Sequence, residues 1–236
     1  MGDLDTAAQR FLLDHVTECA QGPAALLELV SSDGMRAAVL TTVKDAINDQ
    51  AIAREIEARS SRHVNGFLRL TLASSQHFGL RLHVWDTRRG GLPYTPESIH
   101  NHTVDLASKL IAGGYVHTVY CDDHAGHERL SRYLFTGQRD ARSFSLIADG
   151  EATVSVTQVE NLPAGVSYGL GQPVLHSVHP YADMLTASVV LKGPAVRDRA
   201  IVLASHEPSI GAEVPVIDMP PNALHRYCTE LLPALG

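Results

Sequence analysis

The residues with the clearest chemical potential in this 236-residue chain are His100 and His102, in Glu97-Ser98-Ile99-His100-Asn101-His102-Thr103, and His176, in Leu175-His176-Ser177-Val178. In an extended strand, side chains at i and i+2 leave the same face with their Cα atoms about 6.5–7 Å apart. Two imidazoles at that separation converge on one ion, each through a metal–nitrogen bond of about 2 Å, so His-x-His on a strand works as a pincer. A third ligand must then arrive from a distant segment to fix the geometry. His176, in an apolar run that begins at Pro173, is the best placed. The expectation is a mononuclear metal site made of His100, His102 and His176. With 13 histidines in the chain a chance pair is common, so the surrounding segments carry the weight.

After the pincer runs Leu110-Ile111-Ala112-Gly113-Gly114-Tyr115-Val116-His117-Thr118-Val119-Tyr120, a β-rich stretch broken by a Gly-Gly turn, as expected of a hairpin. A second block reads Leu162-Pro163-Ala164-Gly165-Val166-Ser167-Tyr168 and then Val174-Leu175-His176. Together the two blocks resemble the paired motifs of the cupin superfamily, over roughly Arg69 to Pro194, about half of the chain. The resemblance implies a cupin double-stranded β-helix, a jelly-roll barrel that holds a metal inside.

Within the cupins, the chain is most similar to cysteine dioxygenase and related thiol dioxygenases. Leu82-His83-Val84-Trp85 looks like the family strand that ends in Trp, and Ala187-Ser188-Val189-Val190-Leu191-Lys192-Gly193-Pro194 like the strand that follows the third histidine and ends in Pro. Most cupins add a glutamate ligand four or five residues after the second histidine, where this chain has Leu106 and Ala107. Three neutral imidazoles leave a divalent iron its full charge and about three open positions, unlike the two-histidine, one-carboxylate set of many non-haem iron oxygenases. Asp105, the nearest carboxylate, should point out of the barrel if the strand stays regular. The resemblance implies Fe(II), with nickel, zinc, manganese or cobalt able to occupy the same imidazoles. The Ser-x-His-x-Tyr triad of the cysteine-specific enzymes reads Ser188, Val190 and Lys192 here, and the cross-linking cysteine of the animal enzymes falls at Ala107. Cysteine itself is therefore a doubtful substrate.

Strand alternation places His83 and Arg81 on the same inward face as Trp85, and Leu80, Leu82 and Val84 on the outward face. A buried arginine needs a counter-charge, which an anionic substrate can supply in a bidentate fork. The family's substrate-carboxylate arginine lies on the preceding strand, nearly at the spacing of Arg69 in Phe67-Leu68-Arg69-Leu70. Arg69 and Arg81 are thus rival carboxylate binders, and each has a snorkelling alternative at the barrel rim. The pocket candidates are Arg69, Arg81, Trp85, Ser188 and Lys192 for substrate, with Tyr168 and His83 for catalysis. His83 reads as a hydrogen bonder behind the metal, an acid–base group or, as the first choice, a satisfied core histidine. Tyr168 reads as a hydroxyl donor or as aromatic filler. Asp122-Asp123-His124-Ala125-Gly126-His127-Glu128 mimics a second metal site, but its glycine and paired acids suit a solvated loop.

The elements that must position these residues follow from composition and period. The chain is 44% hydrophobic and 19% charged, enough for a substantial core without disulfides. Cys19, Cys121 and Cys228 form no CxxC pair, which fits a reducing cytoplasm and argues against a zinc ribbon. Acidic Asp3 and Asp5, without a long apolar run, support neither a signal peptide nor a membrane span. A net charge of −7 disfavours nucleic acid as a partner. The partners expected are a small molecule and O2, and a homodimer is compatible with the composition.

Apolar residues recur at helical spacing over Leu4 to Cys19, Pro23 to Val30 and Met35 to Asn48, and Gln50 to Arg59 continues with helix formers. Ser32-Asp33-Gly34 reads as a break with an N-cap. From Phe67 the chain is β-rich, near 67–73, 80–85, 98–110, 116–121, 143–147, 152–159, 174–178, 184–191 and 200–204, and Asn222 to Leu235 closes it as a helix. The organisation expected is an N-terminal helical region (1–64) packed on one sheet, a cupin barrel (65–218) and a C-terminal helix (219–236). Residues 122–142 exceed the compact thiol dioxygenases and read as a lid or an oligomer contact.

The activity implied is that of a non-haem Fe(II) dioxygenase converting a small anionic thiol- or amino-acid-like substrate with O2, a thiol giving a sulfinate. Two other readings keep the barrel: an oxygenase, isomerase or lyase for a non-thiol molecule, and a non-catalytic ligand-binding cupin.

Overall fold

A computed structural model describes residues 6–16, 22–63, 65–75, 77–88, 98–123, 128–137, 143–205 and 214–236. Four helices come first: α1 (Ala7–His15), α2 (Pro23–Ser31), α3 (Asp33–Asn48) and α4 (Gln50–Arg59). Their starts are written in capping residues. The Thr6 hydroxyl accepts the Gln9 N–H, Ser32 accepts that of Met35, and Asp49 accepts those of Ala51 and Ile52, while Pro23 opens α2 where no N–H is needed. The remaining helix, α5 (Ala223–Leu235), closes the chain.

Among the described residues thirteen strands follow the first four helices: β1 (Ser61–Arg62), β2 (Leu68–Ser74), β3 (Gly79–Asp86), β4 (Ile99–His100), β5 (Val104–Ala112), β6 (Gly114–Asp122), β7 (Glu128–Thr136), β8 (Ser143–Pro163), β9 (Ser167–Leu170), β10 (Leu175–Pro180), β11 (Leu185–Ala195), β12 (Ala200–Ala204) and β13 (Val214–Pro215). They form two sheets, ordered β1-β2-β3-β11-β5-β9 and β13-β8-β6-β10-β4-β12-β7, with β7 also paired to β8. Every pairing in them is antiparallel. Within them lie the four-stranded layers β3-β11-β5-β9 and β4-β10-β6-β8. Successive strands alternate between these layers except at the middle of the chain, where β6 and β8 pair with each other, which is the winding of an eight-stranded jelly roll, the architecture of the cupin double-stranded β-helix.

Two expected strands resolve differently. The stretch 98–110 divides at Asn101–Thr103 into β4 in one sheet and β5 in the other, because the chain crosses between layers there. The Asn101 side chain adds to the ladder: its Oδ1 accepts the Ile201 N–H at 2.6 Å, while the Asn101 backbone N–H donates to Ile201 O at 3.1 Å. The Gly-Gly turn is also not a hairpin. Strands β5 and β6 lie in opposite sheets, and Gly113, at φ +64°, turns the corner. A Cβ on Gly113 would meet Thr186 Oγ1 at 2.4 Å, and that hydroxyl both accepts the Gly114 N–H and donates to Gly114 O.

Conversely, 143–147 and 152–159 join into the single long strand β8, which passes Gly150 at φ +92°. The described part of the 122–142 insertion is no lid over the pocket, since β7 pairs along β8 and β12 and widens the second sheet. Residues 124–127 and 138–142, including most of the Asp-His cluster, lie outside the described residues. So does Cys19; Cys121 and Cys228 are free thiols. Among the described residues no helix is long and apolar enough to cross a membrane.

The largest core lies outside the barrel. Leu70, Leu80, Leu82, Val189 and Leu191, on the outward face of β2, β3 and β11, pack against Leu12, Leu26, Val39, Val43 and Leu231 of the helices. The helices thus cover the outward face of that sheet. The C-terminal helix is further tied to β3. Buried Asp86 accepts hydrogen bonds from Arg88 Nε and Nη2 at 2.8 and 3.0 Å and from the Tyr227 hydroxyl at 3.3 Å, and Arg88 also reaches Glu230 of α5. The Arg88 hydrogen bond, more than any other influence, holds the Asp86 carboxyl below the usual carboxylate range, against the opposing effect of burial. A carboxyl lowered in this way stabilises the fold above its unfolded pKa of about 3.9, and that stability is lost as pH falls through the folded value. Asp86→Asn is expected to destabilise the protein by about 1–2 kcal/mol at pH 7. Urea titrations at descending pH should show the gap to the parent closing below about pH 4.

Candidate metal centre

His100 ends β4, and His176 is its direct partner on β10. The pincer partner His102 is not on that strand. It sits in the crossover, where its N–H donates to Gln172 O at 3.2 Å. The convergence of the three imidazoles therefore comes from a strand end, a turn and a neighbouring strand, not from the alternation of one regular strand. Their ligand nitrogens all lie within 4.8 Å of one another, and the rings are 4.7–5.1 Å apart between centroids.

Hydrogen bonding selects the nitrogens. His100 Nδ1 faces Ser98 O at 2.9 Å, and a carbonyl only accepts, so Nδ1 carries the proton and Nε2 keeps its lone pair. His102 Nε2 and His176 Nε2 are 2.9 Å apart. That is a hydrogen-bond distance, and it is also the spacing of two nitrogens bound to one ion at about 2.0–2.1 Å and roughly a right angle. Burial, followed by the charge of His100, pushes the pKa of both His102 and His176 well below the usual histidine range. Uncharged rings with free lone pairs are what a divalent metal requires, so the donor set fits one. Among the described residues no carboxylate joins the cluster. Asp105 turns away, as expected, and its Oδ1 accepts the Gln172 N–H at 2.8 Å, bracing the turn that leads into His176.

The facing sheet supplies a cationic wall. Ladder pairs place Arg69, His83 and Ser188 in one row across β2, β3 and β11, and Arg81 and Val190 in the next, with Lys192 two residues further along β11. The outward set Leu80, Leu82 and Val84 lies in the helix-packed core, as alternation requires. His83 is held uncharged first by burial and then by Arg81, with Lys192 and Arg69 adding to the effect, and the Lys192 charge reaches His102 as well. Two atoms on this wall, Ser188 Oγ and His83 Nε2, have no hydrogen-bond partner among the described residues.

Trp85 closes one end, packed on Phe67 at 4.9 Å and on Tyr115 at 5.7 Å between ring centroids. The Tyr168 hydroxyl is hydrogen-bonded to that of Tyr115 at 2.9 Å, and its ring stacks on His117 at 4.8 Å. Val190, where the cysteine-specific family pattern has histidine, packs with Leu106 and Leu170.

Two interior histidines escaped the sequence reading. His63 stacks on Phe67 at 4.4 Å, and burial followed by the Arg69 charge keeps it neutral. His117, on β6, reaches His176 Nδ1 with its Nε2 at 3.1 Å. Neither stands at a ligand spacing, so only the alternation of β6 pointed to His117, and nothing pointed to His63.

No protein-family model matches the sequence, and no curated protein does. Among solved structures the chain is similar to an RmlC-like cupin from Shewanella frigidimarina, at 14% identity over 59% of this chain and 86% of that one, with a TM-score of 0.36. It is also similar to a conserved protein with a double-stranded β-helix domain from Klebsiella pneumoniae, at 10% identity over 64% and 95%, TM-score 0.35. A third is hydroquinone 1,2-dioxygenase from Sphingomonas sp., at 9% identity over 55% and 67%, TM-score 0.34. At these values the likeness is one of strand layout, and the fold assignment rests on the connectivity of this chain's own two sheets.

Proposed function

We propose that the chain is a metal-dependent cupin oxygenase, using Fe(II) on His100, His102 and His176 to oxidise a small anionic thiol- or amino-acid-like substrate with O2. The observation that carries this reading is the opposition of three converging imidazoles, with no carboxylate among them, to a wall bearing Arg69, Arg81 and Lys192. Iron bound there would supply a Lewis acid and a one-electron centre with positions left for substrate and O2.

The protein's own part is positioning. Arg81, buried on the wall, takes the substrate's anionic group, with Arg69 and Lys192 adding positive charge around it. Ser188 Oγ and His83 Nε2 hydrogen-bond the substrate's remaining polar atoms, which gives two buried groups their partners. Trp85 and Phe67 exclude water from the closed end. A thiol held at a divalent metal would lose its proton without a strong base, and the His83 ring, which burial and Arg81 keep uncharged, would relay that proton onward. Val190 and Lys192 in place of the cysteine-specific histidine and tyrosine favour a substrate other than cysteine.

The test is anaerobic Fe(II) loading followed by oxygen-electrode screening of small thiols, amino acids and their acidic derivatives. One equivalent of metal and substrate-dependent O2 uptake are expected. Turnover without O2 would make the protein an isomerase or lyase, and tight binding without turnover a ligand-binding cupin; either result rejects the oxygenase. His100→Ala and His176→Ala should each lose stoichiometric metal, as read by elemental analysis, and at least about 100-fold in activity. Arg81→Gln should retain metal and raise KM for the anionic substrate by about 10–100-fold, the cost of one charged hydrogen bond.

A further inference from the structure

His176 is held at both ring nitrogens. Its Nε2 lies 2.9 Å from His102 Nε2, and its Nδ1 lies 3.1 Å from Nε2 of His117, which is itself buried. A histidine that binds a metal through Nε2 must carry its proton on Nδ1 and donate it. Only one polarity of the pair meets that demand: His176 Nδ1–H donates to His117 Nε2, and His117 keeps its own proton on Nδ1. In the opposite polarity His117 donates, the His176 proton moves to Nε2, and the ligand lone pair is gone.

The position of His117 is itself over-determined. Its ring stacks on Tyr168 at 4.8 Å with the planes 30° apart, and the Tyr168 hydroxyl is fastened to that of Tyr115 at 2.9 Å. His117 Nδ1 is buried and has no hydrogen-bond partner among the described residues. Leaving a polar atom in that state is costly, and a purely structural site would favour an apolar residue of the same shape.

We infer that His117 is a positioning residue for the metal centre, an uncharged acceptor that fixes the tautomer and ring orientation of His176. The inference rests on the metal reading above. Its particular consequence is electrostatic. Metal-bound histidines commonly lean on a carboxylate, which adds negative charge behind the ligand. An imidazole in that place orients His176 without adding charge of its own; the carboxylate whose charge reaches His117, Glu160 opposite it on β8, is exposed to solvent, where screening weakens it toward the ion.

The experiment uses the full chain with Co(II) as the probe, its affinity read by chelator competition and its coordination by visible absorption. His117→Phe should bind Co(II) about 10–100-fold more weakly, with an altered spectrum. His117→Gln, which offers an amide oxygen as acceptor, should recover most of the affinity. His117→Glu should bind Co(II) at least as tightly as the parent, and after iron loading should lower the Fe(III)/Fe(II) midpoint potential. Parental affinity and spectrum in His117→Phe would overturn the inference. Equal weakening in the Phe and Gln variants, together with matching losses in metal-free melting temperature, would overturn it too by reducing His117 to packing. His176→Ala separates the two levels: if it still binds one equivalent as tightly as the parent, the metal reading itself fails, whereas its loss beside an unaffected His117→Phe removes only the role of His117.

Discussion

The barrel interior is organised by the burial of imidazoles that must remain uncharged. His102 and His176 lie against each other at hydrogen-bond distance, and a protonated ring there would have to be desolvated beside other buried histidines. Burial therefore does two things at once: it preserves the lone pairs that a cation would need, and it removes the proton that would compete for them. The same desolvation, reinforced by Arg81, Lys192 and Arg69, keeps His83 neutral on the opposite wall. The pocket thus joins neutral donors to fixed positive charges, a combination suited to a metal ion and an anion held together.

The jelly roll serves this by bringing two unlike surfaces face to face. One sheet contributes His100, His176 and His117, and the other contributes the arginines, His83, Ser188 and Lys192. Filling the inward face of the arginine-bearing sheet with polar side chains leaves its large apolar residues on the outside. Leu70, Leu80, Leu82 and Val189 would then be a greasy exposed face, a liability for a lone barrel. The helices answer that need. They cover the outward face with the largest core in the molecule, and α5 is fastened through Arg88 and Asp86 to the end of the strand that carries Arg81 and His83.

Asp105 shows how the absence of a carboxylate ligand is built in. Its side chain lies three residues beyond His102, near enough to suggest a fourth ligand, yet it is spent on the Gln172 N–H. That bond shapes the turn from which β10 delivers His176, so the acid contributes to the centre by placing a ligand and leaves the charge of the site unreduced.

Residue types and period determined a good deal by themselves. The inward set Arg81, His83 and Trp85 and the helical cover were legible because strand alternation and helical spacing are local properties that survive any tertiary arrangement, whereas the cupin-type barrel was legible through the resemblance of its two motif blocks and the three histidines through their residue type and place in those blocks. What the tertiary structure alone decided depends on where the chain changes sheet. Asn101 and Gly113 each turn a segment that reads as a continuous strand or a hairpin into a crossing between layers, and neither residue announces this by type. The crossing at Asn101, not the strand period, brings His102 onto His176. The pairing of β6 with β10 sets His117 behind the same ligand, a contact 59 positions apart in sequence that no local spacing encodes.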